Sequence, residues 1–459
     1  MKMQLAEIAN AVQAKNDISQ WAGTEISSVA FDSRKLTSGA LFIPLVGAND
    51  GHDYLANARE HGAVATFWQS GHVGEPTDFP VLEVADPLKA LQKLAQYYLV
   101  KVNPRVIAVT GSDGKTTTKD MIAAILSQRF NVHKTQGNYN NEIGVPTTIL
   151  SMETNTEILV LEMGMDRPGQ LDFLSQLVEP DITLITMIGE AHIEFFGTRD
   201  KIADAKMEIT NGLKEDGYFI YNGDEPLLRQ RAKSVSQNQL TFGNKKSDDL
   251  CAMTIETTKD QTSFTLATYP EMMFTIPLLG AYNVNNAMAA ISVGQILRIK
   301  PEEMRTALAH FSLTKNRTQW LTGAKGESIL SDIYNANPTA MKAVLTAFQE
   351  VPVTGRRIAV LGDMLELGDQ SATLHRSVAT AIRPDKLTGI YLYGDEIKPL
   401  ADELKRNPTY QEHVHYFKKT EKQLMISELV AQIHPDDAVL LKASNGMHLD
   451  EVLKQLELA

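Results

Sequence analysis

Short apolar runs recur along the chain and alternate with helix-period segments, which predicts an α/β fold rather than an all-helical or all-strand one. Val29 to Phe31, Leu41 to Pro44, Ala63 to Phe67 and Val81 to Val84 read as strands of a small unit, closed by a helix over Pro87 to Leu99. Asn103-Pro104 then breaks the pattern. From Arg105 the runs Val106 to Val109, Ile158 to Leu161, Ile182 to Thr186 and Tyr218 to Tyr221 are continuously apolar, as parallel strands buried on both faces must be. Beyond Leu240 the texture becomes polar-apolar alternation at Met253 to Thr257, Ser263 to Thr268 and Phe274 to Pro277, which predicts antiparallel strands added to that sheet. Helices over Val284 to Leu297 and Pro301 to Phe311 follow. The strand-helix alternation then resumes with Ile329 to Ile333, Arg357 to Leu361, Gly389 to Tyr393 and Ala438 to Lys442. Three domains are expected: a small N-terminal α/β domain over 1–102, a central doubly wound sheet over 103–313, and a Rossmann-like C-terminal domain over 314–459 without a dinucleotide glycine fingerprint.

Composition narrows the function classes. The chain has 459 residues, 43% hydrophobic and 22% charged, an ordinary composition for a soluble globular protein. A net charge of −12 argues against nonspecific nucleic-acid binding, whose footprint is basic. A lone cysteine, Cys251, excludes an internal disulfide or a cysteine metal cluster and fits a core position in a reducing compartment. The first residues, MKMQLAEIANAVQAKND, pattern as a short amphipathic helix without a sustained apolar run, so neither secretion nor membrane insertion is expected, and the expected location is cytoplasmic.

The chemistry centres on RVIAVTGSDGKTTTKDMIAAIL, Arg105 to Leu126. A β-branched strand runs into a turn bounded by Gly111 and Gly114, and a helix starts at once with Lys115, Thr116 and Thr117. Such a turn points backbone N–H groups inward beside the positive end of a helix, so it holds a polyphosphate. Lys115 then reaches the β- and γ-phosphates and Thr116 supplies a magnesium ligand. Val109 stands where the generic phosphate loop has its first glycine, so the loop is a shorter variant, TGxxGKT. Glu162 ends the next buried strand, where phosphate-loop proteins keep a magnesium carboxylate. His192 follows the Ile182 to Thr186 strand and comes to the same edge of the sheet. Lys206 is flanked at helical spacing by Ile202 and Ile209, so it points inward; by itself that pattern reads as a lysine stem packed on apolar surface.

TGSDGKTTTKDM, GNYNNEIGVP, LEMGMDRPG, GEAHIEFFG and DIYNANP occur in that order, and with them the chain resembles the Mur ligase family over essentially its whole length. DIYNANPTAM (Asp332 to Met341) and GDMLELG (Gly362 to Gly368) are most similar to the branch that adds D-alanyl-D-alanine to UDP-N-acetylmuramoyl-tripeptide. The resemblance implies a monomeric, ATP-dependent amide ligase working through an acyl phosphate, with two Mg²⁺ sites. The phosphate loop Gly111, Ser112, Asp113, Gly114, Lys115, Thr116 and Thr117 would hold ATP, with Asn283 and Asn286 near adenine and Asp332 on the ribose. Thr116 and Glu162 would bind one magnesium; His192 and a carbamylated Lys206 would serve the second. Arg317, from TKNRTQW, would reach the phosphates from the C-terminal domain on closure.

For the acceptor substrates the resemblance implies Ser33 and Arg34 in FDSRK at the uridine nucleotide. It places the muramoyl peptide near Asn138, Asn140 and Asn141, has Asn335 and Asn337 shaping the adjoining loop, and sets Lys442 and Ser444 at D-alanyl-D-alanine. Two positions depart from the family pattern: Tyr282 replaces a common histidine, and Ala443 and Asn445 replace glycine and arginine. A family relative with a different amine, including a folate-type acceptor ligase, and a nucleotide-switched binding module are the alternatives. The third residue of the tripeptide, lysine or diaminopimelate, stays open at this level.

Overall fold

The structure, a computed structural model, describes residues 1–312, 314 and 317–458. Its secondary structure falls into three main sheets. The N-terminal one is a four-stranded parallel sheet, with Ser28–Ala30, Ala40–Phe42, Ala63–Gln69 and Val81–Val84 side by side in sequence order. A two-stranded antiparallel pair, Met3–Gln4 with Glu25–Ile26, flanks it. Helix Pro87–Val102 begins with the Asp86 carboxylate capping the Leu88 and Lys89 N–H groups and with proline in the first turn, and it ends at Asn103 in a left-handed conformation.

The central sheet has nine strands. Seven are linked by parallel pairing, and the phosphate-loop strand Arg105–Thr110 lies among them between Ile158–Glu162 and Ile182–Ile185. Its apolar residues alternate between two cores: Val106 and Ala108 pack on one face, Ile107 and Val109 on the other. That two-sided burial is why the run is continuously apolar. The expected antiparallel strands are present as Leu250–Thr257, Thr262–Leu266 and Tyr269–Ile276, joined through parallel pairing of Leu250 and Cys251 with Phe242 and Gly243. Cys251 is buried, as expected of a core residue.

The third sheet has six strands, five parallel, with Gln319–Thr322 antiparallel at one edge. Ser328–Asp332 and Ala438–Lys442 are neighbours in register, which brings Asp332 opposite Lys442 at their carboxyl ends. The edge strands Val132–Lys134, Gln319–Thr322 and Val414–Phe417 are not predicted by the apolar runs, because edge strands of mixed polarity lack that signature. Asn238–Gly243, interior to the central sheet, is missed because it begins with the polar, exposed Asn238 and Gln239. The expected boundary between central and C-terminal domains, after residue 313, lies outside the described residues. No helix among the described residues is long and apolar enough to cross a membrane.

Candidate active site

Gly111 and Gly114 shape the phosphate loop for steric reasons that the geometry makes explicit. Gly111 has φ +150° and a Cβ there would lie 1.8 Å from Thr186 Oγ1; at Gly114, φ is +80° and a Cβ would lie 2.3 Å from Asn286 Oδ1. The loop is pinned from the neighbouring strand end: Thr186 Oγ1 donates to Asp113 O at 2.5 Å and Gly189 N donates to Ser112 Oγ at 2.8 Å. Helix Lys115–Leu126 follows directly. Lys115 Nζ donates to Gly111 O at 2.8 Å, folded over its own loop, and burial pulls its pKa below the usual lysine value, partly offset by Glu162 and Asp113.

A polar cavity of about 360 Å³ opens above this loop. It brings together Lys115, Thr116, Asn138, Asn140, Asn141, Glu162, His192, Lys206, Arg317 and Asn335, residues from seven separate stretches of sequence. Glu162 is 2% exposed. Its two oxygens accept from the Thr116 hydroxyl at 2.8 Å and from Asn140 Nδ2 at 2.9 Å; the carboxylate and the hydroxyl together offer oxygen ligands of the kind a hard cation takes. His192 has a left-handed backbone, φ 63°, and its Nδ1 lies 2.5 Å from Glu366 Oε2 of the GDMLELG segment. Burial lowers the His192 pKa, with Glu366 opposing and Lys115 and Lys206 reinforcing.

Lys206 is 3% exposed and makes no hydrogen bond or ion pair among the described residues. Burial, with the Lys115 charge adding to it, pushes its pKa well below the usual lysine value, so the amine is favoured neutral. A buried neutral amine facing a polar cavity is the state that can take up carbon dioxide as a carbamate. The helix pattern alone did not distinguish this from a packed lysine stem.

A second cavity, about 370 Å³, lies on the other side of the loop and is lined by Gly114, Thr117, Tyr282, Asn283, Asn286, Asp332 and Lys442, among others. Asn286 Nδ2 donates to Asn283 Oδ1 at 2.9 Å, and Thr118 Oγ1 donates to Asn286 Oδ1 at 3.2 Å. Burial raises the Tyr282 pKa, so this ring stands neutral against the cavity. Lys442 donates to Asp332 Oδ2 at 2.6 Å and to Asn335 O at 3.0 Å.

The C-terminal segment is closed on the loop. Arg317 Nη2 donates to Thr116 Oγ1 at 3.1 Å, its guanidinium stacks on the Tyr334 ring at 3.8 Å, and it lines both cavities. Its Nε is buried with no hydrogen-bond partner among the described residues. Asn337 Nδ2 donates to Asp113 Oδ2 at 2.7 Å, while Thr339 donates from both N and Oγ1 to Glu190 Oε2. Tyr334, Glu190 and Glu366 carry no sequence signal of their own, because their roles arise only where two segments meet.

Four expected substrate residues stand apart from these cavities, among them Asn337, which is buried and bound to Asp113. Ser33 is buried, and Arg34 is exposed and paired with Asp32 at 2.9 Å; neither lines a described cavity. The adjacent Lys35 does reach the Asn138–Asn141 loop, donating to Tyr139 OH at 3.2 Å. Ser444 is buried, accepting from Leu365 N at 2.9 Å, and likewise lines no described cavity.

The chain matches the Mur ligase family catalytic domain over residues 25–99, the Mur ligase middle domain over 109–294 and the Mur ligase glutamate ligase domain over 316–445. It is 42% identical to the UDP-N-acetylmuramoyl-tripeptide–D-alanyl-D-alanine ligase of Bacillus subtilis over 99% of this chain and 98% of that one. It is 32% identical to the enzyme of the same name in Escherichia coli, over 99% and 97%. Among solved structures it superposes on MurF from Acinetobacter baumannii with a TM-score of 0.89, 27% identity and coverage of 100% and 99%. Against the MurF ligase from Thermotoga maritima in complex with ADP the TM-score is 0.79, with 28% identity and coverage of 94% and 97%.

Proposed function

The chain belongs to the Mur ligase family, and from that membership we infer that it is the ATP-dependent ligase joining D-alanyl-D-alanine to UDP-N-acetylmuramoyl-tripeptide in peptidoglycan synthesis. One observation carries this reading to the residues: Lys115, Glu162, His192, Lys206 and Arg317 converge on a single cavity. A nucleotide switch would not need a buried, partnerless Lys206 beside its phosphate loop.

The reaction has two steps. A carboxylate oxygen of the tripeptide attacks the γ-phosphorus of ATP, and ADP leaves; the amine of D-alanyl-D-alanine then attacks the acyl carbon, and phosphate leaves. In the first step two anions must meet, so cationic neutralisation is the main requirement. The loop N–H groups and Lys115, swung from Gly111 O to the phosphates, hold the triphosphate in this reading. Arg317, its Nε without a hydrogen-bond partner among the described residues and its guanidinium stacked on Tyr334, is poised to add positive charge at the transferred phosphoryl group. Asn283, Asn286 and Tyr282 line the space suited to adenine, and Asp332, held by Lys442, faces the same space for the ribose.

The oxygen donors Thr116 and Glu162 fit one Mg²⁺; His192 and carbamylated Lys206 fit a second, the carbamate converting a lysine into an anionic oxygen donor. Bound there, the ions would screen the repulsion between carboxylate and phosphates. Asn138, Asn140 and Asn141 orient the muramoyl peptide, Asn335 and Asn337 shape the loop facing it, and Ser33 and Arg34 serve the uridine end. Lys442 and Ser444 stand near the incoming dipeptide. A monomer is the working unit in this reading, and ATP with a UDP-linked acceptor favours a cytoplasmic setting. Phosphate release tests the assignment: D-alanyl-D-alanine should support turnover with UDP-N-acetylmuramoyl-tripeptide, and turnover with a single amino acid in its place would overturn it.

A further inference from the structure

A third cavity, about 350 Å³, adjoins the reaction cavity and shares Asn141, Glu142, Gly164 and Gln170 with it. A residue whose carboxylate lies at the reaction centre can therefore place its side chain in the adjoining cavity. The remaining walls are Pro168, Gly169, Phe173 and Leu174, around the start of helix Gln170–Val178. Phe173 is 38% exposed, an aromatic surface left uncovered at the cavity rather than in the core. These walls suit a methylene chain.

The polar groups decide what the end of that chain carries. Gln170 Oε1 is occupied, accepting from Asp166 N at 2.7 Å and Arg167 N at 3.1 Å. Asn141 Oδ1 is likewise occupied by Ile143 N and Gly144 N. Glu142 is the one charged side chain on the lining, and its half-buried carboxylate has no hydrogen bond or ion pair among the described residues. A second carboxylate, Glu208, accepts from Gly169 N at 2.9 Å and adds to the negative field. Arg167, an exposed cation that feels the Glu142 charge, is held by Asp166 at 2.9 Å.

We propose that this cavity is the subsite for the side chain of the tripeptide's third residue, and that Glu142 selects a terminal alkylammonium, as in lysine, over the zwitterionic end of diaminopimelate. The proposal rests on the ligase reading above. A lysine ammonium gains a charge-assisted partner at Glu142, whereas the extra carboxylate of diaminopimelate meets the Glu142 charge, with no cation on the cavity lining and Arg167 already held by Asp166.

The test compares UDP-N-acetylmuramoyl-tripeptides ending in lysine and in diaminopimelate, each with D-alanyl-D-alanine, in the wild type and in Glu142→Gln. The wild type should favour the lysine form in kcat/KM by roughly tenfold or more, the worth of one charge-assisted contact. Glu142→Gln should raise KM for the lysine form by a similar factor and shrink the preference, with KM for ATP and the melting temperature unmoved. Equal use of both forms by the wild type, a preference for diaminopimelate, or an unchanged preference in Glu142→Gln would overturn the subsite while leaving the ligase reading intact. No turnover of either tripeptide would overturn both.

Discussion

Asn337 Nδ2 donates to Asp113 Oδ2 at 2.7 Å, tying the first turn of helix Pro338–Glu350 to the phosphate loop. The same side chain caps its helix, with Oδ1 accepting from Ala340 N at 3.0 Å. Two substitutions separate these roles. Asn337→Ala removes both and should lower stability by about 1 kcal/mol for the cap alone. Asn337→Asp keeps a cap acceptor but sets a carboxylate against Asp113, so it should raise KM for ATP more than Asn337→Ala while costing less melting temperature. Small-angle scattering should show the Asp variant expanded. If the rise in KM merely tracks the loss of melting temperature across the pair, Asn337 acts through its helix alone.

Lys206 carries the sharpest chemical expectation. Its amine is buried and favoured neutral, so ¹³C-bicarbonate should label it as a carbamate detectable by NMR, with the signal lost in Lys206→Ala. Lys206→Ala should reduce kcat on the order of 10²-fold or more, the scale of removing a preorganised charge from an active site, and short carboxylic acids should restore part of it. Lys206→Arg should not recover activity, because a guanidinium stays protonated and cannot carry the carbamate. Full unassisted activity in Lys206→Ala would remove the carbamate from the mechanism.

The two loop glycines should respond to a single methyl group. Gly111→Ala and Gly114→Ala each combine a positive φ with an approach under 3 Å, to Thr186 Oγ1 and Asn286 Oδ1 respectively. Strain of about 1–3 kcal/mol at either position should appear as weakened ATP binding. Gly23→Ala is the control: nothing lies within 4 Å of a Cβ there, and its effect should stay within about 0.5 kcal/mol. Normal nucleotide affinity in both loop variants would show that the loop reshapes freely.

How legible each feature was follows from its physics. The phosphate loop could be read directly, because a strand, a glycine-bounded turn and a lysine at a helix start are local in sequence, and Glu162 and His192 followed from the rule that ligands gather at strand carboxyl ends. The buried strands were legible from two-sided burial, while Val132–Lys134 and Val414–Phe417 were not, since edge strands carry mixed polarity. Asn337 meeting Asp113 and Glu366 meeting His192 were invisible, because neither partner's local pattern records a contact across more than a hundred residues. Lys206 lay between: its spacing gave burial, but the absence of any partner is a property of the assembled fold.

The last expectation concerns pH. Asp50, His52 and His72 lie with their ligand atoms within 4.8 Å of one another, a spacing that could suit a metal. The hydrogen bonds argue otherwise. Gln69 N donates to His52 Nε2 at 3.3 Å, so Nε2 serves as an acceptor and Nδ1–H donates to Asp50 at 2.7 Å. His72 has an acceptor at each nitrogen, Val73 O at 2.7 Å and Asp50 at 2.9 Å, so it is held as an imidazolium. Its pKa is raised, chiefly by Asp50, and that of Asp50 is lowered, chiefly by the His52 N–H and then by His72. The His72 contribution is complete below the unfolded histidine value of about 6.5 and is lost as pH rises through the raised folded one. The Asp50 contribution is complete above about 3.9 and is lost as pH falls through the depressed folded value. The wild type should therefore exceed His72→Gln in melting temperature most between about pH 4 and 6.5, with the gap closing on either side. Added zinc should leave the wild-type melting temperature unchanged; a zinc-dependent rise that His72→Gln abolishes would make the cluster a metal centre instead of a charged clasp.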